Sequence, residues 1–204
     1  MRVALIGDEF TPDVGGAPTY AAGLSSALAK LVDVELSPHW HKGQVQEEKI
    51  HGVKIRRLKG FVLPRFNRAA SPSIFSKLYR EIKRRNYTII HSLDLYSSMG
   101  TLSVWTANKI GATSVFTCHT AYGQSALIHS AHAPLMKFLK SAKGIIAVSE
   151  SAKEFCIRLG FPKSKIFVVP NGIDTSVFNP KKSGKNLRKK LEIQNTPLVV
   201  TASR

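Results

Sequence analysis

Short apolar runs alternate with amphipathic stretches along most of the chain. Val3, Leu5 and Ile6 form an apolar run closed by Gly7 and Asp8, which predicts a buried parallel strand over 2–7. Tyr20, Leu24, Ala27, Leu28 and Leu31 recur at helical spacing, so a helix starts near Ala17. Asp33–Ser37 reads as a second strand. Residues 50–58 read as a third, alternating around Gly52 with Lys54, Arg56, Arg57 and Lys59 on its outer face. Ser71 and Pro72 mark a helix start, followed by Ile74, Phe75, Leu78 and Ile82 on one face. Strands at 88–91, 114–118, 144–148 and 165–169 then alternate with helices at 96–110, 129–142 and 150–159. Gly111 and Gly160 close two of those helices, and Ser149 caps the last.

That alternation, through residue 174, predicts an α/β class: a Rossmann-like parallel sheet with helices on both faces. Ligands of such sheets gather at the carboxyl ends of the strands. Gly15-Gly16, His91, His119, Ser149 and Asn171 all fall at such ends. The Gly15-Gly16 turn leads into a helix N-terminus, where free backbone N–H groups and the helix dipole suit a phosphate. It equally reads as a turn whose glycines let strand and helix pack closely. The pair is not the G-x-G-x-x-G fingerprint, so a nicotinamide cofactor is not favoured. Residues 181–190 hold six basic side chains and no acid, as a linker or solvated helix does. An apolar run at 197–201 then reads as one more strand. The expected division is a domain over 1–180, then a linker and the first strand of a truncated second domain over 181–204.

Charge changes this picture. Thirty Lys and Arg against thirteen Asp and Glu give a formal charge of +17, which favours an anionic partner: nucleic acid, an anionic membrane surface or a phosphorylated small molecule. Lys77, Arg80, Lys83, Arg84 and Arg85 share the polar side of the helix after Ser71, and such a face meets either water or an anionic surface. The basic runs lack interleaved aromatic residues, which argues against nucleic acid. Cys118 and Cys156 each sit in an apolar run and read as buried thiols. His39 with His41, and His129 with His132, have metal-ligand spacing but no third ligand nearby, so no metal site is expected.

Five motifs occur in order: Asp13-Val14-Gly15-Gly16, the strand ending at His91, Phe116-Thr117-Cys118-His119-Thr120, Ala147-Val148-Ser149-Glu150, and Val169 to Asp174 with Phe178-Asn179-Pro180. Together they resemble the N-terminal half of a retaining GT-B-fold glycosyltransferase, in the large family that includes the phosphatidylinositol mannosyltransferases. The resemblance implies two Rossmann-like domains facing a cleft, the first binding mainly the acceptor and the second a nucleotide-sugar. Gly15, Gly16, Asn171 and Arg204 would serve the donor, and His119 would face the transferred sugar as the catalytic residue. Arg65, Arg68, His91 and Tyr122 are candidates for holding the acceptor. Relatives often carry a second histidine two residues after the first in the fourth-strand motif; here that position is Leu93.

The resemblance thus implies the acceptor-side half of a hexosyltransferase-type enzyme, inactive without the missing C-terminal domain. It would need no cofactor beyond its donor substrate and no metal. The acceptor is a lipid-linked compound, a sugar or a small molecule. A cytoplasmic location follows, with peripheral contact to an anionic membrane where the acceptor is lipid-linked. The alternative is a basic, non-catalytic module that binds nucleic acid or an anionic membrane.

Overall fold

The computed structural model describes residues 1–10, 13–38, 43–63, 68–69, 71–120, 126–193 and 197–201, without the side chains of 62, 63, 68, 69 and 126–132. Packing divides the chain into Met1–Asn171 and Gly172–Arg204, where the sequence reading places the division at 180.

In the first unit, β1 (Arg2–Ile6) is followed by α1 (Gly16–Leu28), β2 (Asp33–Ser37), β3 (Glu47–Ile50) and β4 (Val53–Arg56). A small hairpin, β5 (Val62–Leu63) and β6 (Arg68–Ala69), precedes α2 (Pro72–Arg84). Then come β7 (Ile89–Ser92), α3 (Ser98–Ile110), β8 (Thr113–Cys118), α4 (Ala126–Leu139), β9 (Gly144–Ala147), α5 (Glu150–Arg158) and β10 (Ile166–Val168). The main sheet runs β10-β9-β8-β7-β1-β2-β4-β3 and is parallel except for β3. The chain winds outward from β1 in both directions, so the switch point lies between β1 and β7.

Strand β1 shows why the first apolar run has no polar gaps. Val3 and Leu5 pack with Val34, Leu36 and α1 on one face. Ala4 and Ile6 pack with α2 and α3 on the other. A strand covered on both sides has no polar positions to spare. A third cluster joins β8 and β9 to α4 and α5 around Phe116, Ile145 and Phe155. The α3 helix lies so close to β7 that a Cβ on Gly100 would come within 2.0 Å of Ser92 Oγ; only glycine fits there.

Two sequence expectations change. Residues 50–58 are not one strand but the end of β3, a turn and β4. His51 and Gly52 both adopt positive φ, 47° and 85°, the backbone of a tight antiparallel hairpin. Residues 197–201 form no strand. Val199 there is 96% exposed, and a strand needs a neighbour to take its backbone hydrogen bonds. The second unit instead holds a turn in which Asp174 accepts from the Ser176 backbone at 2.9 Å, and a short helix, α6 (Lys185–Lys190).

Candidate functional site

Three helices have their first turns completed by a side chain. Ser71, Ser97 and Ser149 cap α2, α3 and α5, each accepting a hydrogen bond from a first-turn backbone N–H. The α1 helix is different: Gly15 is its cap residue, no side chain caps it, and its first turn holds no acid. Gly15 is fully extended, at φ 164° and ψ 177°, and a Cβ on Gly16 would meet nothing within 4 Å. Tight packing therefore does not explain Gly16. It keeps the start of α1 open to whatever approaches the uncapped amides.

One helical turn after Gly16, on the same side of α1, stands Tyr20. Its ring meets the His119 ring edge-on, with centroids 4.4 Å apart and planes at 74°. Its hydroxyl lies 3.2 Å from Thr117 Oγ1 on β8. Thr117 Oγ1 in turn lies 2.7 Å from His91 Nε2 on β7. So α1, β7 and β8 are tied together at the carboxyl edge of the sheet by Tyr20, His91 and Thr117, with His119 against them just past the end of β8.

The two imidazoles differ. His91 is buried, and loss of solvation, with the neighbouring His119 adding to it, pushes its pKa down to about 4. It is neutral in the fold and engaged with Thr117. His119 is half-buried, and burial also lowers its proton affinity, against the opposing pull of Asp94 and a hydrogen bond to the Leu93 backbone. Its Nε2 is shielded from solvent yet has no hydrogen-bond partner among the described residues. A ring that donates from its other nitrogen to a backbone carbonyl leaves Nε2 as a lone-pair acceptor. Such an atom lacks only a hydroxyl or N–H donor to complete it.

A crevice of about 40 Å³ adjoins this edge at the switch point, lined by Gly7, Asp8, Glu9, Ala17, Leu93 and Asp94. Asp8 is buried and accepts from the Ser98 backbone N–H at 3.2 Å, fixing the β1 loop to the start of α3. Leu93 packs against the end of β1: a Cβ on Gly7 would lie 3.4 Å from its Cδ1.

The chain as a whole has counterparts among known proteins. Residues 14–177 match the model of Glycosyltransferase Family 4. The chain belongs to that family. It is 29% identical over 191 residues to a subunit of the phosphatidylinositol N-acetylglucosaminyltransferase of Arabidopsis thaliana, covering 88% of this chain and 41% of that protein. It is 28% identical over 207 residues to the GPI3 subunit of the same transferase in Saccharomyces cerevisiae, covering 98% and 45%. The family 4 chain therefore spans less than half the length of these curated relatives. Among solved structures, Anabaena HepE in complex with UDP-glucose superposes with a TM-score of 0.65 at 15% identity, over 96% of this chain and 50% of that one. The lipopolysaccharide outer core galactosyltransferase WaaB gives 0.59 at 18% identity, over 85% and 46%. The fold is the Rossmann-like N-terminal half of a GT-B glycosyltransferase.

Of the residues singled out from sequence, Gly15, Gly16, His91 and His119 lie along one stretch of the sheet edge. Asn171 is exposed, three residues past β10. Two strand spacings separate β10 from β8, which is roughly 10 Å. Arg68 lies in β6, and its side chain is outside the described part. Arg65, Tyr122 and Arg204 lie outside the described residues. Tyr20 and Thr117 join the site from structure alone. Tyr20 sits at a position that reads as core helix face, and its only signal in the sequence is a hydroxyl one turn beyond a glycine pair. Among the described residues no group of three or more His, Cys, Asp or Glu could hold a metal ion.

Proposed function

We propose that this chain forms the acceptor-side half of a retaining glycosyltransferase that moves a sugar from a nucleotide-diphosphate sugar to a lipid-linked acceptor. The observation that carries the reading is the shielded Nε2 of His119, without a partner among the described residues, beside the open start of α1. A sugar hydroxyl would donate to that nitrogen and so be held in register. The amides at Gly15 and Gly16 would face the donor diphosphate. Negative charge grows there as the sugar–phosphate bond breaks, and fixed backbone dipoles stabilise it without rearranging.

In this reading Arg204 adds a cation to the diphosphate, Asn171 completes the donor side, and the reaction needs no metal. Arg65, Arg68 and Tyr122 would reach the acceptor from their loops. His91 would act from beneath, holding Thr117 and through it Tyr20. The named activity of the plant and yeast relatives supports phosphatidylinositol as acceptor and N-acetylglucosamine as sugar, and the HepE complex supports a uridine nucleotide. Those relatives are named as subunits, which supports work inside a complex; a cytoplasmic place, peripheral to a membrane that holds the acceptor, is part of the same proposal.

The test is transfer from UDP-N-acetylglucosamine to phosphatidylinositol in vesicles, measured with the protein as its host makes it. His119→Ala is expected to slow transfer at least about 100-fold, the scale of losing one fixed polar group from a charged transition state. Unchanged transfer removes His119 from the site. No transfer from any of a panel of nucleotide-sugars overturns the reading.

A further inference from the structure

On the face of the sheet opposite α1, the apolar cover is incomplete. The α2 and α3 helices pack over β1 and β7, while β2 and β4 present charged residues on that side: Glu35, Lys54 and Arg56. A groove of about 580 Å³ runs between α2 and the β3–β4 hairpin. Among the described residues it is lined by five cations and two carboxylates, with Leu58 on its floor.

Both carboxylates are already neutralised. Glu47 pairs with Arg56 at 2.9 Å. Glu81 is held by Arg85 at 2.7 Å, Arg84 at 3.1 Å and Arg56 at 3.7 Å, and these cations keep its carboxyl ionised below the ordinary range despite the cost of partial burial. What remains for a ligand is a pair of cations. Lys77 and Arg80 occupy adjacent turns of one side of α2, roughly 5 Å apart along its axis. Lys77 Nζ donates to the Lys59 carbonyl at 3.0 Å, which anchors it at the rim and leaves two of its N–H groups over. Arg80 Nε donates to the Ser76 carbonyl at 3.3 Å, which leaves its terminal nitrogens over.

We propose that this groove is an anion site for a ligand bearing two or more phosphate charges, held by Lys77 and Arg80. A guanidinium fork and an ammonium on adjacent turns match vicinal phosphate oxygens. The site is separate from the His119 edge and does not depend on the transferase reading. The phosphate is either that of a soluble compound or that of an anionic lipid headgroup.

The experiment titrates the protein with pyrophosphate by calorimetry at low salt, and separately with vesicles containing phosphatidic acid. The double variant Lys77→Gln/Arg80→Gln is compared with Lys181→Gln/Lys182→Gln, which removes equal charge elsewhere. Circular dichroism and thermal unfolding check that both variants fold. Saturable pyrophosphate binding, weakened at least about ten-fold only in the groove variant, is the expected result for a soluble source. Vesicle binding without pyrophosphate binding, lost only in the groove variant, assigns the phosphate to a headgroup. Equal loss in both variants, or no binding to either probe, overturns the site.

Discussion

The carboxyl edge of the sheet and the groove beneath α2 solve the handling of polar groups in opposite ways. At the edge, polarity is buried and uncharged: His91, Thr117 and Tyr20 share two hydrogen-bond contacts, and His119 keeps one nitrogen in reserve. In the groove, polarity is charged and solvated, and Arg56 with Arg84 and Arg85 absorb the carboxylates. A formal charge of +17 draws attention to the second region. The residues able to direct chemistry at a fixed atom lie in the first. Total charge reports long-range attraction, whereas a desolvated, oriented imidazole reports positioning.

The contrast breaks most readily at Thr117. Thr117→Val keeps the shape but strips the buried His91 Nε2 and the half-buried Tyr20 hydroxyl of their partner. Unfolding in urea should show a loss of about 3 kcal/mol. A loss below about 0.5 kcal/mol means that the hydroxyl is not the hub of this network.

Acid should distinguish the regions next. The folded pKa of His91, about 4, lies below the ordinary histidine value. The fold therefore binds fewer protons than the unfolded chain between these values. The stability due to neutral His91 is complete above about pH 6.5 and fades as pH falls towards 4. Between pH 7.5 and 5 the loss should be about 2 kcal/mol, and His91→Gln should flatten that part of the profile. An unchanged slope in the variant places the acid sensitivity elsewhere.

Smaller effects follow at Tyr20 and in the groove. Tyr20→Phe removes one hydroxyl and should cost about 1 kcal/mol, while keeping the ring against His119. Arg80→Gln should change stability by less than about 0.5 kcal/mol, because an exposed cation with no ion partner among the described residues contributes little to the fold. If the two changes cost the same, the distinction between a built edge and a solvated groove fails.

How much of this is legible in the chain depends on which physical signal each part leaves. The parallel strands β1 and β9 announce themselves because burial on both faces demands apolar runs, while β7 and β8 show only short apolar stretches, Ile89-Ile90 and Val115-Phe116, between helices. Helix starts at Ser71 and Ser149 are written by their hydroxyls, and the C-cap at Gly111, with φ 77°, by its missing Cβ. The β3–β4 hairpin hides for two reasons. Its first strand, Glu-Glu-Lys-Ile, is an exposed edge with no apolar alternation. Its turn uses His51 where Asn or Asp is the usual sign. The run at 197–201 misleads in the other direction: apolar residues favour a strand only where another strand can receive them.

The candidate site divides the same way. Glycines and histidines at strand ends can be found from order along the chain, since the topology sends those ends to one edge. Tyr20 and Thr117 cannot, because their pairing spans 97 residues and leaves no periodic trace.

The bare start of α1 has a consequence for anyone who would redesign it. The serines before α2, α3 and α5 each accept from the backbone N–H three residues on, at Ile74, Gly100 and Ala152. In α1 that third residue is Pro18, which has no N–H to give. Gly15→Ser therefore cannot copy the other three starts, and its gain in helix stability is at most about a few tenths of a kcal/mol. The proline keeps this helix from being closed by the commonest one-residue change.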